Sequence, residues 1–584
     1  MGSVLSRIRL AVRSAHKSSE AYDTLLERIA QSPGTPSNTT SQSYWSIPPS
    51  GLAQHGSSSV LPSQTDVVII GSGITGAAIA RTLLNHDSKY GVKERPLRVV
   101  MLEARDCCSG ATSRNGGHIT PNHYSEFASL TSRHGLEAAK QIIRFRLAHL
   151  RTLIRVAEQD GILHESQCRE VETFDVFLQQ ELFEYSKVQL EAFRREMPAE
   201  SSDFVVHEGP HAISNLQLSD RTAGCISTRA GAIHPYRFIT GVLTRLLKLH
   251  EESFQLFTRT PCTGIRQTAS SSNFIVETPR GSIRATHVIH ATEGWSSHLL
   301  EFMRGRIVPS RAFITAQRPG QGLGRAEIAT EPPRVWTGQR SFVFYPTESP
   351  AVYDYLTQQP PSLVMPLFES QSYPAPSGEF MFGGGAAVGG QIDYAVMNHL
   401  GFPDDTSVDY ASVTHLTGSL PLYFRNWGDE NSSTADPQDE RLSPQNAGRI
   451  KAVWSGVIGV SVDGNPWVGR IPKELARRQW HRPPSACVQR CDGMETLRRD
   501  DKFVRAGGPL YLAEPGEFIS AGYSGEGMDN AWLCGEALAS IVVGEQEASC
   551  TLSESKVLLP PSFLISKRRW KAARVETFIE RILA

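Results

Sequence analysis

A short apolar block, Val67–Ile70, stops abruptly at Gly71, and from Ile74 small and aliphatic residues recur at helical spacing. An unalternating, β-branched block of this kind fits a strand buried on both faces, with the glycine turn leading into a helix. Leu97–Leu102 repeats the pattern and ends at Glu103, so the polar stretch Asn85–Pro96 reads as a loop joining helix to strand. Glu137–Glu158 and Gln179–Met197 have helical spacing and many charges, which predicts solvent-facing helices. Arg311–Ile314, Ser341–Tyr345 and Glu379–Phe382 read as strands of an antiparallel sheet. Two polar inserts, Asn426–Asn446 and Lys473–Gly508, predict surface loops.

The first turn carries chemistry as well as geometry. Gly71, Gly73 and Gly76 fit G-x-G-x-x-G, in which the glycines permit the turn, let a pyrophosphate approach the backbone, and let helix and strand pack closely. Phosphate would then sit on the helix N-terminus at Ile74 and Thr75. Glu103, followed by Ala104 and Arg105, stands where an acidic side chain accepts hydrogen bonds from ribose hydroxyls, although the gap from Gly76 exceeds the roughly 20 residues that are typical. The plain alternatives are a glycine turn without nucleotide and a solvated acid at a strand end.

Composition narrows the class. With 584 residues, 40% hydrophobic content and a formal net charge of −1, the chain has core-forming sequence for more than one domain and no basic excess to support nucleic-acid binding. Nine cysteines at irregular spacing argue against a disulfide framework, and Cys487 with Cys491 lacks a second ligand pair, so no metal site is expected. No apolar run reaches the roughly 18 residues of a membrane span. The N-terminal segment is Arg- and Ser-rich and also fits a myristoylation pattern at Gly2 and Ser6. The favoured reading is an amphipathic helix on the body followed by a Pro/Ser/Thr-rich linker, Ser32–Pro62, in a cytoplasmic protein. Mitochondrial targeting and membrane association through an N-myristoylated Gly2 are the alternatives.

The segment Gly110–His118, GATSRNGGH, follows the second strand and has no use in a plain nucleotide-binding dehydrogenase. With Gly231–Leu247, Ile283–Leu300, Trp454–Pro472 and Gly516–Gly544, it resembles the D-amino-acid-oxidase-like (DAO) superfamily of FAD-dependent oxidoreductases, which includes glycine, sarcosine and gamma-glutamylputrescine oxidases; the N-terminal arm is similar to those of fungal members. The resemblance implies an α/β plus α+β fold, with a Rossmann-like FAD-binding domain and a discontinuous antiparallel-sheet cap domain that holds the substrate. The FAD-binding domain is expected over residues 63–135, 221–305 and 450–545, and the cap over 136–220 and 306–449. Residues 1–62 form the arm, and 546–584 a C-terminal extension.

The same resemblance places Thr112, Ser113, Arg114, Asn115, Gly116 and Gly117, then Thr292, Gly294 and Trp295, and finally Gly522, Tyr523, Ser524, Gly525, Gly527 and Met528 against FAD. It implies oxidation of a C–N bond in an amine or amino acid by hydride transfer to flavin N5, with oxygen as acceptor. A flavin dehydrogenase or tailoring oxidase of a specialised metabolite is the alternative within enzymes, and a flavin-binding interaction protein the alternative outside them. Tyr345, Met381 and His118 are the expected substrate-side residues, each with a plain packing role as its rival. Arg311 either binds a substrate carboxylate or makes a salt bridge within the sheet. Two departures from the family stand out: Glu526 replaces a histidine and is expected to turn away or pair with a base, and Met381 stands where oxygen-activating relatives carry lysine.

Overall fold

The computed structural model describes residues 20–90, 96–121, 123–268, 273–320, 323, 336–360, 378–385, 392–425, 427, 449–478, 480–481, 512–544 and 557–583. Its first sheet has a parallel centre in the order Phe254–Phe257, Val99–Leu102, Gln64–Ile70, Gly281–His290, Gly516–Ala521. Val67, Val68 and Ile69 are fully buried, as an unalternating central strand requires. Strand Gly281–His290 changes partner along its length. Its first half pairs antiparallel with Phe274–Thr278, and its second half parallel with Gly516–Ala521. The helices Ile74–Tyr90 and Ala531–Val542 cross closely because Gly535 has no side chain: a Cβ there would lie 2.8 Å from the Ala78 Cβ.

The second sheet runs Ile450–Ser461, Ile307–Gln317, Phe380–Gly384, Asp354–Gln358, Arg340–Tyr345, Arg169–Phe177, Gly224–Ala232, His118–Ile119. Its pairs are antiparallel except Arg340–Tyr345 with Arg169–Phe177, which is parallel, so the sheet is mixed rather than purely antiparallel. A parallel pair needs a crossover connection, which the long chain between Phe177 and Arg340 allows. One face, with Ile314, Ala316, Val343, Tyr345, Met381 and Trp454, joins the core that also contains the first sheet's helices. The opposite face packs Phe313, Phe342, Phe344 and Phe382 against Leu416, Leu420 and Tyr423 of helix Tyr410–Tyr423.

Several sequence expectations are corrected. The Asn85–Pro96 stretch is not loop from its start, since the helix continues to Tyr90. Helix Leu136–Gln159 is not merely solvent-facing: it buries Ile142, Ile143, Phe145, Arg146 and His149, and the Leu533 N–H donates to His149 Nε2 at 3.3 Å. His118–Ile119, Gly224–Ala232 and Ile450–Ser461, expected with the cofactor segments, pair in the second sheet. Ser32–Pro62 is no free linker, for Trp45 within it is only 2% exposed. Of the inserts, Lys473–Ala476 is a helical turn and Trp480–His481 a short strand, while residues 482–508 and nearly all of 426–446 lie outside the described residues, as do 1–19 with the Gly2 motif. The six described cysteines are unpaired thiols, and no helix among the described residues is long and apolar enough to cross a membrane.

The two sheets are stitched by a buried charge cluster. Asp405 receives both Nη1 contacts of Arg105 at 2.9 Å and approaches Arg114 Nε at 3.5 Å, with all three side chains almost fully buried. Arg105 follows the first sheet's Val99–Leu102 strand, and Arg114 donates to the Ser455 carbonyl of the second sheet at 2.7 Å. Removing the shared anion would leave two guanidinium groups buried without it. Asp405→Ala is therefore expected to destabilise the protein by about 3–5 kcal/mol, read as a lowered denaturant midpoint, with Asp405→Asn losing less.

Candidate functional site

An elongated cavity of about 1250 Å³, counted with its open mouth, runs along the carboxyl ends of the parallel strands, the place where open α/β sheets hold ligands. Its lining combines Gly71, Gly73, Ile74 and Thr75 of the first turn with Glu103, Ala104 and Arg105, Thr112 and Asn115, Thr292 and Trp295, and Tyr523, Gly525, Gly527 and Met528. Residues from five separate segments, singled out in the sequence, thus meet around one space. Gly76 lies outside the lining but makes the turn possible, because a Cβ there would sit 2.0 Å from the Gly71 carbonyl oxygen. Gly71 itself has φ +112° and lies against the Ala291 carbonyl, so only glycine fits.

Glu103 is held by the turn it serves. Its Oε2 accepts from the Ser72 N–H at 3.1 Å and the Ser72 hydroxyl at 2.7 Å, and its Oε1 accepts from the Arg105 N–H at 3.0 Å. A carboxylate offers about four acceptor positions, so the protein uses most of them and leaves room for a single further donor rather than the two ribose hydroxyls expected. Thr112 Oγ1 accepts from the Ile74 N–H at 3.0 Å and tethers the helix start to the Thr112–Gly117 segment.

Glu293, absent from the sequence reading, closes the cradle. Its carboxylate accepts N–H bonds from Gly459 at 3.0 Å, Gly522 at 2.8 Å and Tyr523 at 3.2 Å, joining three distant segments. Burial pushes the carboxyl up to about 7, against the three N–H donors, which favour the ionised form. Its φ of +43° is strained for a non-glycine residue. The signal available in the sequence was only an acid just past a strand in ATEGW, between the cofactor residues Thr292 and Gly294. The Tyr523 hydroxyl is fixed in turn by Thr75 Oγ1 at 2.9 Å and Ser520 Oγ at 2.8 Å.

Other expected cofactor residues act from behind the wall. Ser113 and Arg114 do not line the cavity, and Arg114 donates to the carbonyls of Ser41, Ser109 and Ser455. Gly116 and Gly117 support the segment: a Cβ on Gly116 would lie 2.6 Å from the Tyr355 ring, and one on Gly117 2.2 Å from the Ile233 carbonyl. Gly294 lies against the Ile458 carbonyl, Gly522 has φ +82°, and Ser524 Oγ accepts from the Ser461 N–H at 3.0 Å. Glu526 pairs with a base, Arg146 Nη2, at 2.9 Å, and shares that single positive charge with Glu126, which meets Arg146 at 2.9 Å.

The three substrate-side residues are not brought together at the cavity wall. His118 Nε2 meets Ser341 Oγ at 2.9 Å within the second sheet, and burial lowers its pKa to about 3, which keeps it neutral. Tyr345 stacks on Phe177 at 5.0 Å, and Met381 is fully buried between its strand neighbours Ala316 and Thr357. Arg311 does not line the cavity either, and its partners lie beside the sheet rather than in it: the Asn398 carbonyl of helix Ile392–His399 at 3.1 Å and Asp404 of the following loop at 3.8 Å. From the second sheet, Val457 and Ile458 line the cavity directly, while Tyr355 stands behind the wall with its ring against Gly116 and stacked on His118 at 6.4 Å. Alternation in VYDYLT placed Tyr355 on the same sheet face as Thr357, a pattern visible in the sequence but unread.

The sequence model of the FAD dependent oxidoreductase family, DAO, matches residues 66–541. The chain belongs to this family. Among solved structures, it is similar to glycine oxidase from Geobacillus kaustophilus (17% identity, TM-score 0.53, 87% of this chain and 99% of that one). It is also similar to L-amino acid deaminase from Proteus myxofaciens in complex with anthranilate (13%, 0.52, 91% and 97%) and to L-proline dehydrogenase from P.horikoshii (16%, 0.51, 83% and 95%). At these identities the likeness is one of fold. No curated protein matches the chain significantly.

The family cofactor is FAD, and the cradle fits it. Glycines leave the turn bare where a pyrophosphate would lie, the helix N-terminus faces the same space, and the cavity is long enough in its lining to reach from Glu103 to Met528. A Cβ on Gly73 would stand 2.9 Å from Thr112 Oγ1, the atom that already holds the Ile74 N–H. Gly73→Val is therefore expected to yield folded protein largely stripped of flavin, measured as the ratio of flavin to protein absorbance after purification. A folded variant with full flavin occupancy would reject the assignment of this turn.

Proposed function

We propose that this oxidoreductase oxidises a C–N bond of a small amine or amino acid, with the substrate held between the flavin and the second sheet. The observation that carries the reading is that the second sheet supplies one wall of the cavity: Val457 and Ile458 line it, and behind Asn115 the segment is backed by Tyr355 packed on Gly116 and by Thr357, which donates its hydroxyl to the Gly116 carbonyl. A small molecule lodged there would be covered by sheet and shielded from water, as transfer of a hydride equivalent requires. The names of the similar structures, a glycine oxidase, an L-proline dehydrogenase and an L-amino acid deaminase, support an amino-acid or amine substrate.

When bound, FAD supplies the hydride acceptor at N5. The chain's own part is positioning and polarity. Neutral His118 and the buried Met381 and Tyr345 bring no formal charge of their own to the second-sheet side. Pairing with Arg146, which Glu126 shares, offsets part of the Glu526 charge at the Gly525–Met528 turn, where negative charge would oppose the electron-rich reduced cofactor.

A second reading, transfer of electrons to an acceptor other than oxygen, is favoured by a specific observation. No described residue lining the cavity is a lysine, and Lys451, on the neighbouring strand, is buried in an ion pair with Glu379 at 2.8 Å. A panel of amines and amino acids, assayed for peroxide and separately for reduction of an artificial electron acceptor, decides between the two. The expected outcome is flavin reduction by at least one member under anaerobic conditions. Peroxide release assigns an oxidase, and dye reduction without peroxide a dehydrogenase. Failure of every amine and amino acid to reduce the flavin would overturn the C–N reading.

A further inference from the structure

The N-terminal arm forms part of the cofactor cavity. Gly34, Thr35 and Pro36 line it together with Glu103, Ala104, Arg105, Pro261, Cys262, His298 and Leu299. This is the end remote from Gly525–Met528: the Thr260 N–H donates to the Glu103 carbonyl at 2.8 Å and leads the chain directly into Pro261 and Cys262. With Glu103 placed for the ribose, the apolar surfaces of Pro36, Pro261 and Leu299 and the ring of His298 make a pocket suited to a flat, uncharged purine.

The arm is anchored on both sides of this contact. Before it, residues 20–30 are helical, with Leu25 and Ile29 buried, and Arg28 donates to the carbonyls of Met397 at 2.8 Å and Leu400 at 2.9 Å. After it, the Ser41 N–H donates to the Asp405 carbonyl at 2.8 Å, Arg114 donates to the Ser41 carbonyl at 2.9 Å, and Trp45 Nε1 donates to the Asn115 carbonyl at 2.6 Å. Between these anchors Pro33 is buried, but Gly34 to Thr40 are exposed or half-exposed. Ser32 Oγ meets His298 Nδ1 at 3.0 Å at an exposed position, and Gly34, at φ +69°, has open space where a Cβ would point. A span fixed at its ends and loose in its middle is suited to opening without unfolding the rest.

We propose that residues 32–40 are a strap closing the adenosine end of the FAD cavity, so that cofactor exchange requires the strap to lift from His298. The inference rests on the FAD assignment and not on the amine reading, and its test needs no turnover. Because coupling between strap closure and ligand binding is reciprocal, the ligand must protect the strap and the strap must retain the ligand.

Hydrogen exchange of the full-length apoprotein, alone and with FAD, ADP or FMN, tests the first half. FAD and ADP are expected to slow exchange at the amides of Gly34, Thr35 and residues 37–40, whereas FMN, which lacks the adenosine, leaves them unchanged. Flavin release, followed by the rise in free FAD fluorescence on dilution, tests the second half in the full-length variant carrying Ser32→Ala and Pro36→Gly. Release is expected to accelerate by about tenfold or more, with the ADP affinity of the apoprotein falling and the melting temperature of the apoprotein unchanged. Absence of protection by ADP, or a release rate like that of the unaltered protein, would overturn the strap. A chain that binds neither FAD nor ADP would instead overturn the cofactor assignment on which it rests.

Discussion

The cavity exists because one carboxylate holds two distant backbone segments in register with its own. Glu293 accepts N–H bonds from Gly459, Gly522 and Tyr523, and these segments arrive from the second sheet and from the last strand of the first. Each buried N–H needs an acceptor, and leaving one unmade costs about 1–3 kcal/mol. No regular ladder supplies acceptors at this junction of two sheets, so a side chain does. Its positive φ is the local strain accepted for that placement.

From that junction the rest of the architecture follows. Strand Ile450–Ser461 pairs along the full length of Ile307–Gln317 in the second sheet, yet delivers Val457 and Ile458 to the cavity wall before reaching Glu293. The two sheets are then locked a second time by Arg105 and Arg114, buried cations that share the carboxylate of Asp405. The N-terminal arm threads between these fixtures, which is why a stretch that looks like linker by composition has a buried tryptophan and a wall of the cofactor cavity.

Local patterns were legible where a single segment carries its own physics. The Gly71–Gly76 turn, the strands on either side of it and the Gly525–Met528 turn act through backbone geometry that the residue types dictate, and the structure brings them to one cavity. What the sequence hid were pairings across hundreds of residues. Glu293 with Gly522, Asp405 with Arg105 and Arg146 with Glu526 leave no local trace, because an acid and its partner need share no spacing. The substrate-side residues failed to converge for a related reason: Met381 and Tyr355 lie on one face of one sheet, yet neither lines the cavity, which that sheet reaches through Val457 and Ile458 of a different strand.

The measurement that bears most directly on this account compares FAD content and FAD dissociation constant in Glu293→Ala with the unaltered protein, beside the far-ultraviolet circular dichroism of each. Three orphaned N–H groups at the junction should let Gly459 and Gly522 separate, so the account predicts a folded chain whose FAD affinity drops by about two orders of magnitude or more, equivalent to roughly 3 kcal/mol. A folded Glu293→Ala protein that binds FAD as tightly as the unaltered chain would contradict it.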